Sequence, residues 1–237
     1  MKENFSIVIP AYNEEESIKN YDALLIPNLE GYKNFEVIIV DDGSKDKTLD
    51  EANKLKNKYK FVKVVSYGKN GGMGYAIKEG IRNAAKDFII VLDSDLTFHP
   101  KYIKDLLEAQ ERSNADCVIG SHLMDKEGVL DVPFIRLVLH KLVNYFYYLL
   151  FDRRVHTISS VFRLYRSKEV KEMEIESNGF NINAEILFKL IQKKKKVIEI
   201  PAKLTKRKFG VSKINLYKEA KNHMILILKI LKWKLFK

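Results

Sequence analysis

Four short apolar runs, at residues 5–10, 35–40, 61–65 and 88–92, govern what this chain can fold into. Each is rich in β-branched or aromatic residues and is followed by polar or acidic ones, so each reads as a buried strand. Helical stretches separate them. Glu14-Glu15-Glu16 opens a helix whose first turn favours acids, Lys45-Asp46 leads into one that runs to about residue 59, and the glycine-rich loop at 68–74 precedes one that runs to about residue 85. Strands alternating with helices over roughly 120 residues dictate an α/β fold with a mostly parallel central sheet. In such sheets ligands bind at the carboxyl ends of the strands. Those ends carry Tyr12-Asn13-Glu14, Asp41-Asp42 and Asp93-Ser94-Asp95, which together make a site.

Asp93 and Asp95 stand one residue apart where the fourth run ends. Two carboxylates at the end of a buried strand are costly unless something compensates them. A helix cap is one compensation. A divalent cation is another, and hard oxygen ligands suit Mg²⁺ or Mn²⁺.

Beyond this pair the pattern gives a helix at 100–112, a strand at 116–120, a polar loop at 121–131 and an apolar helix at 134–151. The polar residues of that helix, Arg136, His140 and Asn144, recur every four positions and form one narrow stripe, so the helix is either buried or lies at a membrane. A strand at 159–165, a helix at 184–192, a strand at 197–204 and a basic loop at 205–212 follow. The last segment, 214–237, is helical with Lys218, Lys221, Lys229 and Lys232 on one face. It suits a membrane interface, or it packs on the domain and leaves a lysine-rich face in water.

Charge is unevenly placed. Residues 186–237 hold 16 Lys and Arg against 2 Glu, whereas the rest of the chain holds 26 basic and 29 acidic side chains. Diffuse lysine charge at one end suits anionic lipid head groups. No nucleic-acid motif accompanies it, so nucleic acid is not an expected partner. The single cysteine, Cys117, lies in an apolar stretch and reads as core packing in a reducing compartment. The N-terminus leads straight into the first strand without a signal-peptide pattern, and no run approaches the ~18 apolar residues of a membrane-spanning helix.

Four motifs occur in order: Val8-Ile9-Pro10-Ala11-Tyr12-Asn13-Glu14-Glu15, Val40-Asp41-Asp42-Gly43-Ser44, Asn70-Gly71-Gly72-Met73-Gly74-Tyr75-Ala76 and Asp93-Ser94-Asp95. With them the chain resembles the family 2 glycosyltransferases of the GT-A fold. Pro133-Phe134-Ile135-Arg136, Phe162-Arg163-Leu164-Tyr165-Arg166 and Arg207-Lys208-Phe209-Gly210-Val211-Ser212-Lys213 look like the dolichol-phosphate mannosyltransferase branch. The resemblance implies a GT-A, Rossmann-like α/β domain over 1–213, with a donor-binding half at about 1–120 and an acceptor-side half at about 121–213, followed by an amphipathic helix at 214–237. It implies that Pro10, Tyr12, Glu14, Val40, Asp42 and Ser94 line the nucleotide-sugar pocket, and that Asp93 and Asp95 hold Mg²⁺ or Mn²⁺ with Thr97 beside them. Arg207 and Lys213 would close over the diphosphate, and Arg136, His140 and His122 would meet an acceptor phosphate.

The implied activity is metal-dependent, inverting transfer of a hexose, mannose from GDP-mannose, to a dolichyl or polyprenyl phosphate. The implied location is peripheral, at the cytoplasmic face of the membrane. The alternatives are a UDP-glucose-dependent enzyme of the same fold and a nucleotide-sugar-binding protein without turnover. Three departures bear on this. Thr97 stands where the family has Gln, His122 where it has Arg, and Thr157-Ile158-Ser159-Ser160-Val161 where it has Asp-x-Thr-Ser-Gly. The last two fall on the acceptor side.

Overall fold

A computed structural model describes residues 4–124, 147, 155–210 and 215–235. Arg136, His140 and Lys213, the helix expected at 134–151 apart from Tyr147, and most of the loop at 121–131 lie outside the described residues. Seven strands are described: β1 (Asn4–Ala11), β2 (Asn34–Asp41), β3 (Val62–Ser66), β4 (Phe88–Val91), β5 (Cys117–Ser121), β6 (Arg163–Arg166) and β7 (Val197–Pro201). The described helices are α1 (Glu15–Lys19), α2 (Tyr21–Leu24), α3 (Thr48–Lys58), α4 (Met73–Asn83), α5 (Tyr102–Ser113), α6 (Ser167–Lys171), α7 (Ile182–Gln192) and α8 (Leu216–Leu235).

The strands form one sheet in the order β3-β2-β1-β4-β6-β5-β7. β1 lies parallel to β2, from Asn4↔Asn34 to Ala11↔Asp41, and parallel to β4, from Phe5↔Phe88 to Val8↔Val91. β2 and β3 are parallel, as are β5 and β7. β6 runs antiparallel to both of its neighbours, β4 and β5. The mostly parallel sheet is therefore as expected, with one reversed strand. The chain passes outward from β1 through β2 to β3 and then returns to the other side of β1 as β4. The strand order reverses there, and the carboxyl ends of β1 and β4 flank a crevice.

The sheet is apolar on both faces because helices cover both. Alternate residues of β1 divide accordingly, Phe5, Ile7 and Ile9 entering one cluster and Val8 the other. Ile18 of α1, Ala52 and Leu55 of α3, and Ile103 and Leu106 of α5 pack on the first face. Ala76, Ile77 and Ile81 of α4, Ile186 and Leu190 of α7, and Ile230 of α8 pack on the second. Cys117 is fully buried, as expected of core packing, and burial pushes its thiol up to about 12.

The strand expected at 159–165 begins only at Arg163. This fully buried guanidinium donates hydrogen bonds to the carbonyls of Thr157, Ile158 and Ser160, so the preceding backbone turns inward around it instead of joining the ladder. The strand expected at 197–204 ends at Pro201, and Leu204 makes an isolated bridge to Phe98.

α4 lies so close to β1 that a Cβ built on Gly80 would come within 2.1 Å of Val8 Cγ1. Val8 is stiff and fully buried, so it cannot swing aside. Gly80→Val should therefore destabilise the protein by about 1–3 kcal/mol through overpacking. Chemical denaturation checks this, and an unchanged midpoint would show that α4 can lift off the sheet.

Candidate active site

The loop after β4 is built to present two carboxylates. Leu92 N–H still donates to Val8 O at 3.0 Å, and a turn closes from Leu96 N–H to Asp93 O at 3.1 Å. Leu96 holds φ at +52°, unusual for a residue with a side chain, and strain of this kind gathers at functional sites. Thr97 N–H donates to Asp95 Oδ1 at 3.1 Å. The buried Tyr21 hydroxyl donates to Ser94 O at 2.8 Å and anchors the loop from below. Burial, and then the charge of Asp95, push the Asp93 carboxyl up to about 8. Like charges held this close call for a cation.

Arg207 answers part of that demand. Its Nε donates to Asp95 Oδ2 at 2.8 Å and its Nη2 to Glu14 Oε1 at 2.8 Å, so one guanidinium spans the crevice between the ends of β1 and β4. The loop that carries it is fastened by Thr205, whose N–H and hydroxyl both reach Thr97 O at 2.9 Å, and by the Phe98–Leu204 bridge. Gly210 N–H donates to Glu16 Oε2 at 3.1 Å, which draws the loop across α1. Glu14 is buried, accepts Ser17 Oγ at 2.9 Å, and gives its N–H to Thr48 Oγ1 at 2.7 Å.

Asp42 works in a different way. Its Oδ1 accepts the Tyr67 hydroxyl and Gly71 N–H, each at 2.6 Å, and its Oδ2 accepts Gly72 N–H at 2.9 Å. The carboxylate therefore folds the glycine-rich loop. Gly72, at φ +93°, has no room for a Cβ, which would lie 2.6 Å from Asn178 O. That carbonyl also accepts the N–H groups of Gly74 and Tyr75 at the start of α4. The loops after β1 and β2 are cross-linked in turn, since Asn13 N–H reaches Ser44 Oγ at 2.9 Å and Lys45 N–H reaches Asn13 Oδ1 at 2.7 Å.

The other expected residues fall around this crevice unevenly. Pro10 and Val40 are buried register partners at the ends of β1 and β2, Tyr12 is half-buried, and Ser94 is buried. His122 lies in a short turn after β5, its ring centroid 6.4 Å from that of Phe98. The structure thus brings Glu14, Asp95 and Arg207 together, and Asp93 stands in the same charged cluster. Tyr21 and Tyr67 carry no motif signal, and only the fold reveals them. For a metal, Asp93 and Asp95 offer hard oxygen donors with unfavourable mutual charge. Among the described residues no group of three His, Cys, Asp or Glu side chains could hold an ion, so further ligands must come from outside that set. As hard oxygen donors the two carboxylates fit a divalent cation such as Mg²⁺ or Mn²⁺.

Residues 6–173 match the family model described as Glycosyl transferase family 2. The chain is similar to "Dolichol-phosphate mannosyltransferase" of Pyrococcus furiosus, with 32% identity over 232 residues, 97% of this chain and 64% of that protein, so it spans less than two thirds of that relative. It is similar to "Polyprenol monophosphomannose synthase" of Mycolicibacterium smegmatis, with 27% identity over 217 residues, 88% of this chain and 80% of the relative. Among solved structures, glucosyl-3-phosphoglycerate synthase from Mycobacterium tuberculosis, in complex with Mn²⁺, UDP-glucose and phosphoglyceric acid, superposes with a TM-score of 0.72 at 17% identity over 95% of this chain and 79% of that one. S. aureus TarS in complex with UDP-GlcNAc gives 0.66 at 23% identity over 95% of this chain and 66% of that one. These likenesses carry the fold, which is GT-A. With the family model covering residues 6–173 and the switch-point crevice lined by the motifs that suggested it, the chain belongs to glycosyl transferase family 2.

Proposed function

We propose that this protein transfers a hexose, mannose from GDP-mannose, to a dolichyl or polyprenyl phosphate with inversion, working peripherally at the cytoplasmic face of a membrane. The observation that carries the reading is the Arg207 guanidinium bridging Asp95 and Glu14 at the sheet's switch point. A cationic donor beside the acidic strand ends supports the reading, because a leaving diphosphate needs such a donor. The names of the Pyrococcus and Mycolicibacterium relatives support a lipid-phosphate acceptor.

In this reading Asp93 and Asp95, with Thr97 beside them, would hold Mg²⁺ or Mn²⁺. A bound divalent ion supplies positive charge against the charge developing on the leaving nucleotide. Pro10, Tyr12, Glu14, Val40, Asp42 and Ser94 would line the nucleotide-sugar pocket, Asp42 by holding the glycine-rich loop in shape. Arg207, released from its carboxylates as the donor enters, would turn to the diphosphate together with Lys213. Arg136, His140 and His122 would position the acceptor phosphate. One of its oxygens forms a bond to the anomeric carbon while the bond from that carbon to the diphosphate breaks, and the electron pair leaves with the diphosphate. A phosphate is already ionised at neutral pH, so no strong general base is required.

A UDP-sugar donor is the second reading, favoured by the uridine nucleotides held by the solved neighbours. Thermal-shift titration of GDP against UDP with Mn²⁺ separates the two. A larger stabilisation by GDP is expected, and a larger one by UDP would replace the donor.

Incubation with labelled nucleotide sugars, Mn²⁺ and a polyprenyl phosphate should yield labelled lipid. Failure with every common donor sinks the lipid-acceptor reading. Asp95→Ala should lower transfer by about 10²-fold or more while the protein stays folded. An active Asp95→Ala enzyme would show that the cation lies elsewhere. Arg207→Ala should cost about 10²-fold in kcat, the effect of losing one preorganised donor to developing charge. A rise in KM alone would assign Arg207 to ground-state binding instead.

A further inference from the structure

α8 is a two-faced helix, and among the described residues one face packs into the fold. Leu226, Ile227 and Ile230 are buried in the core, and Trp233 stacks on Phe188 with ring centroids 5.9 Å apart. Polar contacts fix the same helix further. Phe180 N–H donates to Glu219 Oε2 at 3.0 Å, and Lys229 pairs with Glu176 at 2.5 Å. Among the described residues these contacts hold the helix from its inner side.

That outer face is apolar as well. Tyr217, Met224, Leu228 and Leu231 recur at helical spacing, with Ile225 at their edge, and are exposed by 83%, 49%, 60%, 41% and 43% respectively. Such a contiguous patch marks an interaction surface. Lys221 and Lys232 share this face and Lys218 flanks it. All three are exposed and make no ion pair among the described residues. The lysine-bearing face thus carries exposed apolar side chains as well, and Lys229 at its edge pairs with Glu176.

We propose that this stripe is a membrane-docking surface that takes an anionic lipid bilayer, with the apolar side chains entering the interface and Lys218, Lys221 and Lys232 meeting anionic head groups. The proposal rests on the lipid-phosphate reading above and names the surface that would bring the enzyme to its acceptor. α8, of 20 residues, spans about 30 Å, enough to lie along an interface. None of the described helices is long and apolar enough to cross one. A second copy of this chain is a poorer occupant, because a self-complementary contact over the stripe would bring its lysines against one another.

Co-sedimentation of the full chain with phosphatidylcholine vesicles, with and without phosphatidylglycerol, tests this. Binding should appear with the anionic lipid and fall with salt. Leu228→Glu should weaken it about tenfold or more, and Lys221→Gln and Lys232→Gln about fivefold each. The point variants replace a truncation, which would remove Leu226 and Ile230 from the core. Leu228→Glu should keep the wild-type thermal midpoint and the wild-type rate on detergent-solubilised acceptor. Loss of either would place Leu228 in the fold and overturn the proposal. Wild-type binding that ignores lipid charge would overturn it, as would light scattering that shows a dimer which Leu228→Glu dissociates. Charge-dependent vesicle binding by a protein that labels no lipid would sustain the surface while sinking the acceptor.

Discussion

Concentrated negative charge at the sheet's switch point is the constraint that the rest of the structure answers. Glu14 follows β1, while Asp93 and Asp95 follow β4, and the parallel pairing of these strands forces their ends together. Carboxylates this close repel, and burial makes the repulsion stronger. Two features of the arrangement relieve it. Burial and Asp95 raise the Asp93 carboxyl to about 8, which favours its neutral form. Arg207 offsets part of the charge of Asp95 and Glu14 with one planar group whose fork geometry lets it address both. Lysine, a single point charge, could not span the crevice in the same way.

The remaining strand-end residues serve as scaffolding for this charge. Asp41 accepts Ser44 N–H at 3.2 Å and Ser66 Oγ at 3.0 Å. Asp42 holds Tyr67, Gly71 and Gly72. The folded glycine loop admits the carbonyl of Asn178 at the start of α4, and two residues later Phe180 N–H meets Glu219 on α8. A carboxylate expected to face a nucleoside is thus also the root of a hydrogen-bonded path across the second face of the sheet. Both oxygens of Asp42 accept hydrogen bonds from this stretch and so hold the loop's shape.

The sequence made the parallel part of the sheet legible because its strands are buried on both faces and read as continuous apolar runs. It made the site's location legible because polar residues follow four such runs. It could not show the bridge of Arg207 to Asp95 and Glu14, whose partners lie 112 and 193 residues away in the chain. Nor could it show that β6 is reversed, since a run such as Arg163-Leu164-Tyr165-Arg166 does not encode direction. The last helix stayed open between a membrane interface and packing on the domain for a related reason. Spacing places residues on a face, but only packing decides which face the core takes, and here the core takes Leu226, Ile227 and Ile230 and leaves Leu228 in water beside the lysines.

The acceptor side is organised by a different economy. Arg163 is wholly buried, and its hydrogen bonds run to the carbonyls of Thr157, Ile158, Ser160 and Asn183. Carbonyl dipoles offset a buried charge less well than a carboxylate does, so the guanidinium is tolerated only where several converge on it. On the other side of the same segment Glu199 accepts the N–H groups of His156 and Thr157 at 2.9 and 2.7 Å. Arg163 therefore takes the segment's carbonyls and Glu199 its amides, and Ser160 Oγ fastens it to Gly120 O at 2.8 Å, beside His122. The family's Asp and Gly are missing from this stretch, yet its backbone is pinned from both sides. The segment is therefore held without those two residues.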